Sequence, residues 1–306
     1  MNRRELLQQS AAAGMAAAFT GSQALRAAAA AAPPAEPGAT QSSVPLTPPA
    51  SGSIPVAFVL AQHAVVIDFA GPWEVFQDTT VPGREAPFRL YTVAESTRPI
   101  TASGGMLITP NYSFDTAPQP KIIVIPAQRE PTEKLLNWIR SAHKSADVTM
   151  SVCTGADVLA ATGLLAGKSA TTHHTAYREM AMDHTDISVK RGVRFVEDGQ
   201  FASSGGLSSG IDLALHIVER YFGRDVARQT AFQMEYQGQG WLDPSSNRAY
   251  AEIRARDGQT LCPICSMVVD PKSAVSSTYK GNTYYFCMPP HKARFDAAPD
   301  KWLSAA

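Results

Sequence analysis

The sequence predicts a layered α/β domain with a mostly parallel, flavodoxin-like sheet, followed by a small Cys/His hairpin-helix module. Three observations lead there. Short, nearly continuous apolar runs alternate with segments of helical apolar spacing, as in βα units whose strands are covered on both faces. One such run, "DVTMSV", leads straight into Cys153, and a helical pattern starts just after it. The stretch 259–306 then changes texture and holds the other three of the chain's four cysteines.

Residues 1–32 carry export-signal anatomy: Arg3 and Arg4, an alanine-rich middle, and small-x-small cleavage options between Ala27 and Ala32. The paired arginines followed by Glu5, Leu6 and Leu7 resemble a twin-arginine signal, so a periplasmic or otherwise exported protein is expected. Residues 33–53 form a Pro/Ala/Ser linker too poor in apolar side chains to offset the entropy of ordering.

The α/β domain is expected over 54–242. "IPVAFVLA" (54–61), "FRLYTVA" (88–94), "KIIVIPA" (121–127) and "DVTMSV" (147–152) read as strands. "DFAGPWEVFQD" reads as a helix with Pro72 near its start, and "PTEKLLNWIRSAHKS" as a second. "ADVLAATGLLAG" reads as a third, stopped by Gly167, and two more are broken at Gly223. Residues 243–258 are a polar linker. In 259–306, "SSTYKGNTYYFC" predicts a hairpin turning at Lys280-Gly281-Asn282.

Composition narrows the function. The chain has 306 residues, 44% apolar and 18% charged, enough for a sizeable core. Acidic and basic residues balance at 27 each with no basic block, so no nucleic-acid partner is expected. No run after the leader reaches about 18 apolar residues, so no membrane span is expected once the signal is removed.

Cys153 at a strand–helix junction has two physical readings. The first helical turn offers unpaired N–H donors that favour a thiolate, and the carboxyl edge of a parallel sheet is where such folds bind ligands. On that reading Cys153 alkylates faster than free cysteine at pH 7. The other reading is a packed structural cysteine, since free cysteine is often buried.

Three stretches in order, "VVIDFAGPWEVF", "SVCTGADVLAATGLLAGKSATTHH" and "SSGGLSSGIDLALHIVE", resemble the ThiJ/PfpI superfamily, which is class I glutamine-amidotransferase-like. The most similar branch holds isonitrile hydratases and the ligand-side domains of AraC-type regulators. The resemblance implies a nucleophile elbow at Cys153 and a partner carboxylate at Asp68. It implies a pocket wall from Thr154, Gly155 and His173, with Glu74 at a branch-typical position. Thr154 stands where protease-like members carry histidine, which disfavours a Cys-His peptidase. Where the branch has Gly-Gly after "IP", this chain has Ala127 and Gln128, whose N–H groups would have to serve the developing negative charge without glycine's freedom of φ. The resemblance further implies a small-molecule substrate, a homodimer and no cofactor for this domain. Isonitrile hydration through Cys153 is the expected activity. The alternative is a non-catalytic periplasmic protein that responds to metal or redox state.

Cys262 and Cys265 form C-x2-C, and Cys287 and His291 form C-x3-H across the hairpin, a common tetrahedral metal arrangement. "CPICSMVVDP" and "YKGNTYYFC" resemble a YHS-type metal-associated domain. One zinc or copper ion is expected, and Met267 and Met288 lean toward copper. A disulfide, in an oxidising compartment, is the competing expectation.

Overall fold

A computed structural model describes residues 44–129, 131–252, 255 and 258–303. The expected signal at 1–32 and most of the 33–53 linker lie outside the described residues.

Four strands of the sheet, over 54–59, 88–94, 122–125 and 148–152, form where apolar runs were expected, and the other three add to them. Its strands are β1 (Ile54–Val59), β2 (Phe88–Ala94), β3 (Tyr112–Ser113), β4 (Ile122–Ile125), β5 (Val148–Val152), β6 (Phe195–Asp198) and β7 (Phe201–Ser204). Their order across the sheet is β6-β7-β5-β4-β1-β2-β3. Every pairing is parallel except β6 with β7. That antiparallel hairpin was not anticipated, because "FVEDGQFASS" mixes polar and small residues with its apolar ones.

Alternation along each strand divides the core. Val56, Phe58, Val124 and Met150 join one cluster, and Ala57, Val59, Ile123 and Ile125 the other. Helices α1 (Val66–Asp78), α5 (Ser209–Phe222) and α6 (Arg224–Gln233) cover the first face through Val75, Phe76, Leu213, Ile217 and Ala227. Helices α2 (Glu133–His143) and α3 (Gly155–Ala161) cover the second through Leu135, Ile139, Val158 and Leu159. Thr132 caps α2 by accepting the Leu135 N–H at 3.2 Å.

Two expected boundaries are corrected. Pro72 lies inside α1, not near its start. It has no N–H to offer the Asp68 carbonyl, which ordinarily weakens a helix. The helix gains close packing there: a Cβ on Gly71 would lie 2.8 Å from Ile211, so α1 and α5 approach closely. Helix α3 ends at Ala161, and positive φ at Gly163 (77°) and Gly167 (71°) turns the chain beyond it. Gly223, with φ 88°, separates α5 from α6 as expected.

A short helix α4 (Tyr177–Asp183) follows the His173–His174 turn, and beyond Trp241 a 3-10 turn spans Arg248–Tyr250. The C-terminal part contains β8 (Thr260–Leu261) with β9 (Val268–Val269), and β10 (Val275–Tyr279) with β11 (Asn282–Phe286). Tyr279 pairs with Asn282, so the hairpin loop is only Lys280-Gly281, both at positive φ. Helices α7 (Pro289–Ala297) and α8 (Pro299–Leu303) close a small core of Ile264, Phe286, Phe295 and Trp302.

Candidate active site and metal centre

β5 delivers Cys153 to the carboxyl edge of the sheet in a sharp turn. Its φ is 58°, a left-handed conformation that costs a non-glycine residue energy and persists only when its surroundings impose it. Hydrogen bonds impose it here. The Cys153 N–H donates to the carbonyls of Ser204 (3.2 Å) and Gly205 (3.1 Å), and the Thr172 hydroxyl donates to the Cys153 carbonyl at 3.1 Å. Gly155 lets α3 start directly above β4: a Cβ there would fall 2.2 Å from the Ile125 carbonyl oxygen. Gly155→Ala should therefore cost about 1–3 kcal/mol or more of stability, read from the urea midpoint at unchanged slope.

The Cys153 side chain is buried, and this overturns the expected low thiol pKa. Burial, with the charge of Asp68 adding to it, pushes the thiol up to about 12, although the N–H groups of Thr154 and Leu207 favour the thiolate. The helix-end donors are present, but desolvation outweighs them. At pH 7 Cys153 is a protonated thiol, and fast alkylation is no longer expected.

Asp68 supplies what the thiol lacks. It sits in the first turn of α1 with no exposed surface, and its Oδ2 accepts the Ala127 N–H at 3.1 Å. Its Oδ1 has no hydrogen-bond partner. Burial pushes its carboxyl up to about 7, against the lowering influence of the Ala127 N–H and the Cys153 thiol. A carboxyl ionising near neutrality beside a protonated thiol can act as general base toward it and return the proton later.

The other expected pocket residues divide. Thr154 contributes its N–H toward the thiol, while Gly155 serves packing. The Ala127 N–H is engaged by Asp68. The Gln128 Oε1 accepts the Ala61 N–H at 2.6 Å, and its Nε2 is buried without a partner. Glu74 is exposed on the outer side of α1 and does not join the buried pair, so its pocket assignment is corrected. His173 is half-buried with its Nδ1 2.8 Å from the Thr175 hydroxyl, and a Cβ on Gly206 would lie 2.1 Å from its ring. Burial and His174 push His173 down to about 4, so it is neutral at pH 7.

Sequence reasoning missed Leu207, whose φ of 51° accompanies the N–H aimed at Cys153, and Thr172, which anchors the elbow. The paired glycines of "SSGGLSSG" were the available signal for a tight backbone approach. It also missed Tyr250, whose ring lies 5.1 Å from that of His174, itself 4.2 Å from His173.

Cys262, Cys265, Cys287 and His291 come together as expected. Their ligand atoms all lie within 4.8 Å of one another. The Cys265 and Cys287 sulfurs are 3.5 Å apart, and His291 Nδ1 is 3.2 Å from the Cys287 sulfur and 3.6 Å from the Cys262 sulfur. A tetrahedral ion with thiolate bonds of about 2.3 Å needs sulfurs about 3.8 Å apart, so the set fits a metal after shifts of up to about 1 Å. All four cysteines are free thiols.

The fold and elbow define a class, an α/β protein with a cysteine held in strained geometry at the end of a parallel strand. The DJ-1/PfpI family matches residues 55–220, and the chain belongs to that family. It is 33% identical over 189 residues to an isonitrile hydratase of Pseudomonas putida, covering 60% of this chain and 79% of that enzyme. It is 26% identical to the HTH-type transcriptional regulator GbdR of Pseudomonas aeruginosa, over 56% of this chain but only 48% of the regulator. A ThiJ/PfpI family protein from Pseudomonas syringae has the same fold, with a TM-score of 0.55 at 24% identity, over 61% of this chain and 76% of that one. No described helix is long and apolar enough to cross a membrane.

Proposed function

We propose that the α/β domain is a cysteine-dependent hydratase that converts a small isonitrile to an N-substituted formamide. The observation that carries this reading is the pairing of the elbow thiol of Cys153 with the buried, near-neutral carboxyl of Asp68. Similarity to an isonitrile hydratase across most of that enzyme's length supports the substrate class.

The chemistry follows from the pair. Asp68 takes the thiol proton as the Cys153 sulfur bonds to the terminal isonitrile carbon. Asp68 returns that proton to the same carbon, leaving a thioimidate, R–N=CH–S–Cys153. Water then adds to the thioimidate carbon, one of its protons passing through Asp68 to nitrogen. The carbon–sulfur bond breaks, the sulfur regains a proton from the new hydroxyl, and the formamide leaves. The Thr154 and Leu207 N–H groups hold charge on sulfur while the bond forms and breaks.

Formamide formation from a small aliphatic isonitrile, followed by NMR with purified protein, tests the reading. Saturable turnover supports it, and no turnover across aliphatic and aromatic isonitriles overturns it. The pH profile is a sharper check. Asp68 must be ionised to accept the thiol proton, so kcat/KM should rise tenfold per pH unit below about 7 and level off above it. The thiol adds no second limb in the usual range, because it stays protonated far above pH 8.

The C-terminal Cys/His group is read as a YHS-type site for one zinc or copper ion. The exposed Met267 and Met288 beside it lean toward copper. The homodimer and export through the twin-arginine route belong to the same proposal. A non-catalytic, metal- or redox-responsive role is the second reading. It is favoured by the Ala127 N–H being held by Asp68, which leaves one donor fewer for substrate.

A further inference from the structure

The Cys/His group does not stand alone on its own module; it packs against helix α4 of the α/β domain. Met182 of α4 joins the small C-terminal core, and Arg178 donates to the Trp302 carbonyl. Arg294 on α7 pairs with Glu179 and, at 2.5 Å, with Asp183, which Lys301 also reaches at 3.3 Å. One consequence falls on the metal ligands. His291 turns its Nδ1 toward the Cys262 and Cys287 sulfurs, and its far nitrogen, Nε2, lies 3.9 Å from Glu179 Oε2. Arg294 holds the other Glu179 oxygen, Oε1, and so fixes the direction of the carboxylate.

We infer that Glu179 of the α/β domain is the outer carboxylate of the metal centre, orienting His291 so that the ion is held by a site completed across the two parts of the chain. This rests on the reading of the Cys/His group as a metal site. A ligating histidine ordinarily donates its second N–H to a carboxylate, carbonyl or water, which sets the tautomer and raises ligand basicity. Once Nδ1 binds metal, the proton of neutral His291 must sit on Nε2, on the side where Glu179 stands. The present 3.9 Å exceeds a direct hydrogen bond, and a small side-chain rotation or one bridging water closes it. The His291 side chain is 12% exposed and that of Glu179 29%, so neither is a freely solvated surface charge. Helix α4 follows directly on the His173–His174 turn at the pocket wall. Metal loading and the contact of the module with that helix are therefore linked specifically through the Glu179–His291 pair.

The test uses the full chain, zinc alone as probe, and competition against a chromophoric chelator. Glu179→Gln should weaken zinc affinity about 10- to 100-fold. Asp183→Asn removes docking charges for Arg294 and Lys301 but leaves the His291 partner, and should change affinity by less than about threefold. NMR of zinc-loaded protein should show a slowly exchanging His291 Nε2–H signal in wild type and in Asp183→Asn, lost in Glu179→Gln. Equal affinity for wild type and Glu179→Gln overturns the inference and leaves the metal reading intact. Equal weakening by the two variants also overturns it, since docking alone would then explain the effect. A wild type that binds no zinc overturns the metal reading itself.

Discussion

Asp68→Asn should lower isonitrile turnover by about 10²–10⁴-fold while leaving the fold intact. The thiol it faces is protonated at neutral pH and has no other buried carboxylate pressing on it as strongly. Asparagine keeps the size of the side chain and an oxygen to accept the Ala127 N–H, but it cannot take a proton from sulfur. The expected loss is therefore chemical, and thermal unfolding should show it. The folded-state pKa of Asp68 is raised from 3.8 to about 7, so its contribution to stability is fully present below about pH 4 and is lost as pH rises through about 7. The variant should consequently gain in relative stability between pH 4 and 7. A variant that unfolds instead would assign Asp68 a structural role.

Metal removal should produce the largest structural effect. The module's own core is small, essentially Ile264, Val269, Phe286, Phe295 and Trp302. Ligation of a structural zinc contributes on the order of 10 kcal/mol or more in comparably small domains, so it should form a large part of the folding free energy here. Chelator treatment, or Cys287→Ser, should open residues 259–303 to protease within the time that 54–242 stays resistant. The α/β part has two extensive apolar clusters, one on each face of its sheet. Resistance of the tail after full metal removal would show that its packing on α4 suffices. Opening of both parts together would show one cooperative unit.

Strands β1, β2, β4 and β5 could be read from sequence because they are largely buried and mostly apolar, as Ile122 to Ile125 show, whereas the short edge strand β3 has an exposed tyrosine and a serine and gave no such signal. The β6–β7 hairpin could not, since Ser203 and Ser204 are buried polar residues whose partners lie elsewhere in the fold. The elbow was visible as a strand, a cysteine and a close-packing glycine in succession. What spacing could not give was the balance of energies around Cys153. Helix-end N–H groups are local and can be inferred, whereas burial and the nearness of Asp68, 85 residues away in the chain, belong to the tertiary structure. Glu74 illustrates the same limit, because resemblance placed it near the site and the facing of α1 turned it to solvent. The four metal-ligand candidates were readable as two close pairs, but Glu179 was not, lying more than a hundred residues before His291.

The central claim is that Cys153 forms the bond to the isonitrile carbon. Turnover measured side by side in wild type and Cys153→Ala, with folding of both checked by circular dichroism, tests it most directly. The account predicts formamide from the wild type and a loss of at least about 10³-fold in the variant. An acid-quenched digest of the wild type should place any substrate adduct on the peptide containing Cys153. Formamide production undiminished in Cys153→Ala would contradict the account.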